Sequence, residues 1–396
     1  MPNLKRTKPY WFTIKMKNTG GKTNRNTRSP GNTDQCFAQR EESCPGFSLS
    51  TQEIKEFPLS VSLSLNEVFD EATMSSSRDL EVDSDPKNPP NISKLCRTKS
   101  GSKRTQQYIA KSRPEEIQQI IENLVPCISE LMTDFYGNYM CQTLFQSCSS
   151  YQRLSLLKAM EPHLLGIAKE CKGTHSLQTL ISLSNLPEEE EVYRNAFKGH
   201  VLELTTHPNA SHVVQRLLIT FKSRDFVLEE LKGSIKRLSM NKMGLCVIKK
   251  CVNEEFVCKE LMQDPIVLMQ DPYGNYAMQL TVEHWLEECS EPMMKAMKSK
   301  VAQLCIQKYA SNVIEKCLKE PSMRSMIIHE LITENKLPLL MNCPYGCYVL
   351  RTAAFEAENE LKVLLRQSIF NSMPNITQKK LKSRWEEILK KLNQAV

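Results

Sequence analysis

Gly137-Asn138-Tyr139-Met140-Cys141-Gln142 returns as Gly274-Asn275-Tyr276-Ala277-Met278-Gln279. Weaker copies of the phrase begin at Gly173, Ala210, Gly244, Ala310 and Gly346. Successive starts lie 36, 37, 34, 30, 36 and 36 residues apart. A period in that range marks a solenoid, in which each supersecondary unit buries its apolar face only against its neighbours. The recurring phrase also holds the polar side chains best suited to recognition, so architecture and function are read from the same residues.

The position after the small residue holds Asn138, Thr174, Ser211, Leu245, Asn275, Ser311 and Cys347. Four residues on stand Gln142, Gln178, Gln215, Lys249, Gln279, Glu315 and Arg351. Residues i and i+4 share one helical face. The other face is apolar, with Cys141, Leu144, Phe145 and Cys148 at 3.6-residue spacing, as are Leu177, Leu180 and Ile181, and Val214, Leu217 and Leu218. Each copy is therefore expected to be an amphipathic helix. The Gly or Ala before it fits a close approach to a preceding helix, and the Asn, Ser or Thr that follows is expected to cap the helix it begins. Tyr151 to Met160 reads as a further helix, and Pro187 followed by Glu188 to Glu191 as the start of another, since proline suits the first helical position and acids the positive end of the dipole. Each unit then holds about three helices, and no alternating strand pattern competes over residues 106–396.

These patterns place one repeat domain at 106–396, with about seven recognisable repeats. Residues 106–128, apolar at Ile117, Ile120, Ile121 and Leu124, read as a capping helix or a degenerate repeat. Residues 1–105 are rich in Ser, Thr, Asn, Pro and Lys without a sustained apolar period, and are expected to be largely disordered. They carry 17 Lys/Arg and 12 Asp/Glu, a net of +5 out of +7 for the chain. On that division the repeat domain is left with about +2, so a polyanion would be held by local contacts and not by bulk charge.

The N-terminus is charged and lacks the apolar core of a signal peptide, and no apolar run reaches membrane-spanning length. The 15 cysteines are scattered, several on the buried stripe (Cys141, Cys148, Cys251, Cys317), and read as reduced core residues of an intracellular protein. His200, His207 and His212 lack the spacing and companions of a metal site. No nucleophile–base arrangement or phosphate-binding glycine loop has motif support. The sequence therefore points to a binding protein, with no catalytic residues, metal or cofactor.

Asn and Gln amides offer a donor and an acceptor that match the edge of one base, and a carboxylate such as Glu315 accepts from the paired donors of guanine. Beside the pairs stand Tyr139, His175, His212, Cys246, Tyr276, Asn312 and Tyr348, most of them able to stack on unpaired bases. One base per helical repeat, read by two or three side chains, is a known logic for single-stranded RNA. Arg216, Lys250 and Lys316 lie next to the pairs and form a candidate row of phosphate contacts.

Residues 129–370 resemble the Pumilio (PUF) family of RNA-binding proteins, on the strength of Asn138-Tyr139…Gln142, Asn275-Tyr276…Gln279 and Ser311-Asn312…Glu315. In that family these are uracil, uracil and guanine readers at repeats two, six and seven of eight. The resemblance implies an all-α fold, a right-handed α-solenoid of three-helix repeats, with RNA on the concave face and its 5′ end at the C-terminal repeats. It further implies a monomer that binds 3′ untranslated regions of mRNA in the cytoplasm and recruits repressor or deadenylation machinery. Thr174/Gln178 and Ser211/Gln215 depart from the usual pairs, the second leaning towards adenine. Leu245-Cys246…Lys249 and Cys347-Tyr348…Arg351 depart further. The expected target is 5′-N-G-U-N-(A/U)-N-U-3′. Two other readings remain: a nucleolar relative acting on pre-ribosomal RNA, favoured by the degenerate readers, and a peptide-binding scaffold of the armadillo or HEAT kind.

Overall fold

The computed structural model describes residues 92–394, and every regular element among them is helical. The unit is clearest at Ile128–Thr133, Gly137–Ser147 and Ser150–Met160: a short helix, a middle helix carrying the repeated phrase, and a third helix. It recurs at Leu164–Lys169, Gly173–Leu183 and Pro187–Phe197, and onward to Leu337–Asn342, Gly346–Glu356 and Asn359–Ser372. The middle helices pack side by side in one row, Gly137–Ser147 against Gly173–Leu183, that against Ala210–Thr220, and so on through Lys242–Cys251, Gly274–His284, Ala310–Cys317 and Gly346–Glu356. Their apolar stripes form the core, and Leu144, Phe145, Leu177, Leu180, Val214 and Leu217 are all buried. This is the helical-repeat solenoid that the period implied.

The small residue at the start of each middle helix is explained by distance. A Cβ on Gly137 would stand 2.8 Å from the carbonyl oxygen of Leu131, and one on Gly274 2.8 Å from that of Leu268. Both carbonyls end the preceding short helix, so a side chain there would push the middle helix off its neighbour. Ala210 and Ala310, both fully buried, are the largest residues the row uses at this place.

The capping expectation is corrected. Asn138 and Asn275 lie inside their helices, and their amides donate backwards, to the carbonyls of Asp134 and Phe135 (2.9 and 2.8 Å) and of Asp271 and Pro272 (2.9 and 3.0 Å). The free N–H groups are met instead from three residues before the small residue. Asp134 Oδ1 accepts from the Tyr136 and Gly137 N–H groups, Asp271 Oδ1 from those of Tyr273 and Gly274, and Asn241 Oδ1 from those of Met243 and Gly244. His207 serves the same end, its Nδ1 accepting from the N–H groups of Asn209 and Ala210. A carboxylate or ring nitrogen poised before the helix reaches those donors, and a residue one position inside it does not.

The boundary at 105/106 is also corrected. It falls inside the helix Lys99–Ile109, which follows a short helix at Ile92–Leu95 and precedes Pro114–Leu124. Ile117, Ile120, Ile121 and Leu124 are buried, and the three helices together form a complete first unit. Its middle helix packs against Gly137–Ser147 as the others pack against their neighbours. A Cβ on Gly101 would meet the carbonyl oxygen of Leu95 at 2.1 Å, the same six-residue relation as Gly137 with Leu131. The expected disorder of residues 1–91 lies outside the described residues.

Successive units are clasped through their third helices. Arg153 lies 3.4 Å from the Glu189 carboxylate, both side chains nearly inaccessible, and also donates to the carbonyl of Cys148. Arg224 and Arg324 repeat the device, reaching Glu254 and Glu358 while donating to the carbonyls of Leu218 and Leu318. Of the three, Arg153–Glu189 is the buried pair, and removing one of its partners strands the other charge, which is costly. Helix Lys379–Gln394 closes the row, with Leu381, Trp385, Ile388 and Leu392 buried.

Candidate nucleic-acid interface

Eight middle helices among the described residues present three side chains each, in constant register. The first member of each pair is buried: Asn138 and Asn275 are 1% exposed, and Thr174, Ser211, Leu245, Ser311 and Cys347 are buried too. The second member, four residues on, is half-buried at Gln142, Gln178, Gln215, Lys249, Gln279 and Glu315, and exposed at Arg351. Between them the stacking residue points outward. Tyr139 is 40% and Tyr276 43% exposed, and His175 and His212 are exposed, whereas Cys246, Asn312 and Tyr348 are half-buried. Periodicity put both members of a pair on one open face. The structure sinks the first into the stack and leaves the second at the rim.

Pairs at the second and sixth units are built alike. Gln142 Nε2 donates to Asn138 Oδ1 (3.2 Å) and Gln279 Nε2 to Asn275 Oδ1 (3.1 Å). With its own amide spent on the turn, each Asn acts as a fixed acceptor that orients the Gln. Gln142 Oε1 also accepts from Thr179 of the next unit. At the third and fourth units the Gln amide turns to backbone instead, Gln178 Nε2 donating to Thr174 O and Gln215 Nε2 to Ser211 O (both 3.2 Å). Thr174 Oγ1 donates across to Asn209 O, the residue before the next middle helix. Ser311 Oγ donates to Lys308 O, leaving the Glu315 carboxylate as that unit's acceptor at the rim.

The first unit holds a triplet that the repeated phrase did not reveal: Ser102, Lys103 and Gln106. Ser102 is buried, Lys103 exposed and Gln106 half-buried, as in the second, third, fourth and sixth units. Ser102 Oγ donates to Tyr136 O (2.8 Å), the residue before the next middle helix, as Thr174 does, and Gln106 Nε2 donates to Ser102 Oγ (3.0 Å). Its signal was the 36-residue step back from Gly137 to Gly101.

The fifth unit breaks the pattern. Leu245 is buried and has no edge to offer, and Lys249 places its ammonium 5.6 Å from the centre of the Tyr276 ring. Burial holds the Lys250 amine below its ordinary pKa, and the neighbouring Lys249 and Arg216 press it further the same way. Lys249, Lys250 and Arg216 thus share one patch, an arrangement that favours an anion. Lys316 is otherwise engaged, 3.4 Å from Glu283 of the preceding unit. Partial desolvation where the ring meets the protein, and then His175 nearby, lowers the pKa of His212 although its side chain is exposed, which favours the neutral ring suited to stacking. Among the described residues no group of three or more His, Cys, Asp or Glu is placed to hold a metal ion, and no helix is long and apolar enough to cross a membrane.

The fold and this interface define a class: three-helix-repeat solenoids with one pair and one stacking residue per unit, all in one row. A family model described as Pumilio-family RNA binding repeat matches residues 127–160, 200–231, 234–254, 266–297 and 300–332. The chain is 29% identical to a Pumilio domain-containing protein of Schizosaccharomyces pombe over 319 residues (78% of this chain, 47% of that protein). It is 30% identical to Pumilio homolog 12 of Arabidopsis thaliana over 288 residues (69% and 48%). A solved Puf4 RNA-binding domain, bound to the 3′ UTR recognition sequence of HO endonuclease RNA, superposes with a TM-score of 0.70 at 26% identity, covering 74% of this chain and 97% of that one. The chain belongs to the Pumilio family, and it spans about half the length of these curated relatives. The first, third and eighth units lie outside the matched stretches, and their geometry is what adds them to the row.

Proposed function

We propose that this protein binds single-stranded RNA in a sequence-specific way, one base per unit, and does no chemistry on it. The observation that carries this is the identical construction of Asn138/Gln142 and Asn275/Gln279, each beside an exposed tyrosine, in line with the acceptor Glu315. A peptide groove has no use for an edge-matched amide pair and a flat ring at constant register. The RNA-bound Puf4 domain and the RNA-binding repeat model support the same reading.

With the 5′ end at the C-terminal units, as in the family, Ser311/Glu315 takes guanine, and Asn275/Gln279 the uracil that follows. Leu245 and Lys249 leave the next base unread, and Arg216, Lys249 and Lys250 hold phosphate there. Ser211/Gln215 and Thr174/Gln178 follow, then Asn138/Gln142 takes uracil. Ser102/Gln106 repeats the Ser–Gln pair and adds one base at the 3′ end. The biological role we propose is post-transcriptional control through mRNA 3′ untranslated regions in the cytoplasm, with repressor or deadenylation machinery as protein partners. Selection of the full-length protein against a random RNA library tests the reading. Recovered sequences should share G-U followed, four nucleotides after that U, by a second U. Recovery without a shared motif would refute base-specific reading.

A further inference from the structure

The row of middle helices has a ninth member that is not a repeat. Trp385, in the closing helix Lys379–Gln394, donates from Nε1 to the Met341 carbonyl oxygen at 3.4 Å. Ser176 donates to the Met132 carbonyl oxygen at 3.3 Å, and both links span 44 residues. Trp385 thus stands to the eighth unit as Ser176 stands to the second. In that register the ninth stacking position, 36 residues beyond Tyr348, is Arg384. The pair positions at 383 and 387 are Ser383, which is exposed, and Glu387, which pairs with Lys391 of its own helix. Only the stacking residue of a ninth unit is present, and its guanidinium carbon lies 5.6 Å from the centre of the Tyr348 ring.

A base held between two flat groups needs about 7 Å between their planes, two van der Waals contacts of about 3.5 Å each. The plane of Tyr348 and the guanidinium carbon are at most 5.6 Å apart. The cleft they share with Trp385 has about 10 Å³ of open space, room for about one water and far too little for a base. Cys347 has no edge to offer either, being buried with Sγ donating to Pro344 O at 3.2 Å. We propose that Arg384 occupies the eighth base's place by stacking on Tyr348, so that recognition begins at the guanine read by Ser311/Glu315. The nucleotide 5′ of that guanine is accommodated without regard to its base.

This inference rests on the proposed RNA binding and is tested separately from it. Full-length protein is titrated with oligoribonucleotides that carry the G-U…U core and differ only in the nucleotide 5′ of the guanine: each of the four bases, or an abasic site. Wild type should bind all five within about twofold. Arg384→Ala should open the socket and prefer a base to the abasic site by about fivefold or more, the lower end of what one stacked base contributes. A wild type that already discriminates base from abasic site by that margin overturns the proposal, as does an Arg384→Ala protein that still does not. Replacing the guanine with adenine provides the separate check. Indifference there refutes the reading of Glu315, while the five-oligonucleotide comparison still decides the role of Arg384.

Discussion

At the scale of single residues, the pairs divide their work unequally. Glu315 is an acceptor at the rim, and guanine is the base that offers two adjacent donors to it. Glu315→Gln replaces one acceptor oxygen with a donor, so the preference for G over A at that position should shrink by roughly 1–3 kcal/mol. Competition binding with G- and A-containing oligonucleotides measures it, and an unchanged ratio would remove Glu315 from the reader set. Asn275 is structural first: its amide holds the Asp271 and Pro272 carbonyls and its oxygen aims Gln279. Asn275→Ala should therefore lower folding stability by about 1–3 kcal/mol, the cost of buried acceptors left unmet, and weaken uracil preference with it. If denaturation shows full stability while binding alone falls, the amide's place in the turn is less important than its geometry indicates. This division was half legible. The i, i+4 spacing located every pair from Asn138 to Arg351, but spacing gives the face and not the depth. Ser102 and Gln106 were hidden for another reason. Their helix buries Gly101, Ser102, Thr105 and Ile109, three of them small or polar, so no apolar stripe announced it within a Lys- and Ser-rich stretch.

At the scale of elements, the joins between units carry signals that hydrophobic periodicity does not contain. Gly199 and Gly233 have φ of 83° and 75°, and Ser299 and Asn335 have 61° and 52°, each between a third helix and the next short helix. The left-handed region is free to glycine and costs other residues roughly 1–2 kcal/mol. Nothing lies within 4 Å of a Cβ built on Gly199, so Gly199→Ala isolates the backbone effect. It should destabilise by about 1 kcal/mol, whereas Ser299→Gly should stabilise by about 0.5–1 kcal/mol once glycine's extra chain entropy is subtracted. Chemical denaturation of the two variants checks both signs, and a neutral Gly199→Ala would show that the join relaxes out of the left-handed region. A second signal is the glutamates that meet the start of the short helices. Glu230 accepts from the Val201 N–H, Glu260 from that of Ile235 and Glu330 from that of Val301. Their partners stand 25 to 29 residues away, beyond the reach of any window that scores one helix at a time. The third helices at Ser150–Met160 and Pro187–Phe197 were legible, by contrast, because their start signals are local.

At the scale of the whole chain, adding the unit at residues 92–124 to the row reverses a conclusion about charge. Residues 1–91 hold 12 Lys/Arg and 12 Asp/Glu, while residues 92–396 hold 40 Lys/Arg against 33 Asp/Glu. Residues 92–396 therefore carry a net +7, and Lys94, Arg97, Lys99, Lys103 and Arg104, all in the first unit, account for five of it. Bulk charge then does help to hold a polyanion, and it is concentrated where the 3′ end of the RNA would lie. Two truncations separate the two divisions of the chain. Removal of residues 1–91 should leave affinity, base preference and the dependence of affinity on salt close to those of the full chain. Removal of residues 1–105 cuts the helix Lys99–Ile109, takes away those five cations and strips the Gly137–Ser147 helix of its neighbour. That protein should show a shallower salt slope, by up to about 0.7 for each phosphate of a single strand that is no longer neutralised, and should lose the base read by Ser102 and Gln106. Its exposed helix face should also lower the unfolding midpoint, because a terminal unit shields the apolar side of the next one. Equal salt slopes and equal midpoints for the two truncations would place the first unit outside the working row, and the boundary at 105 would stand.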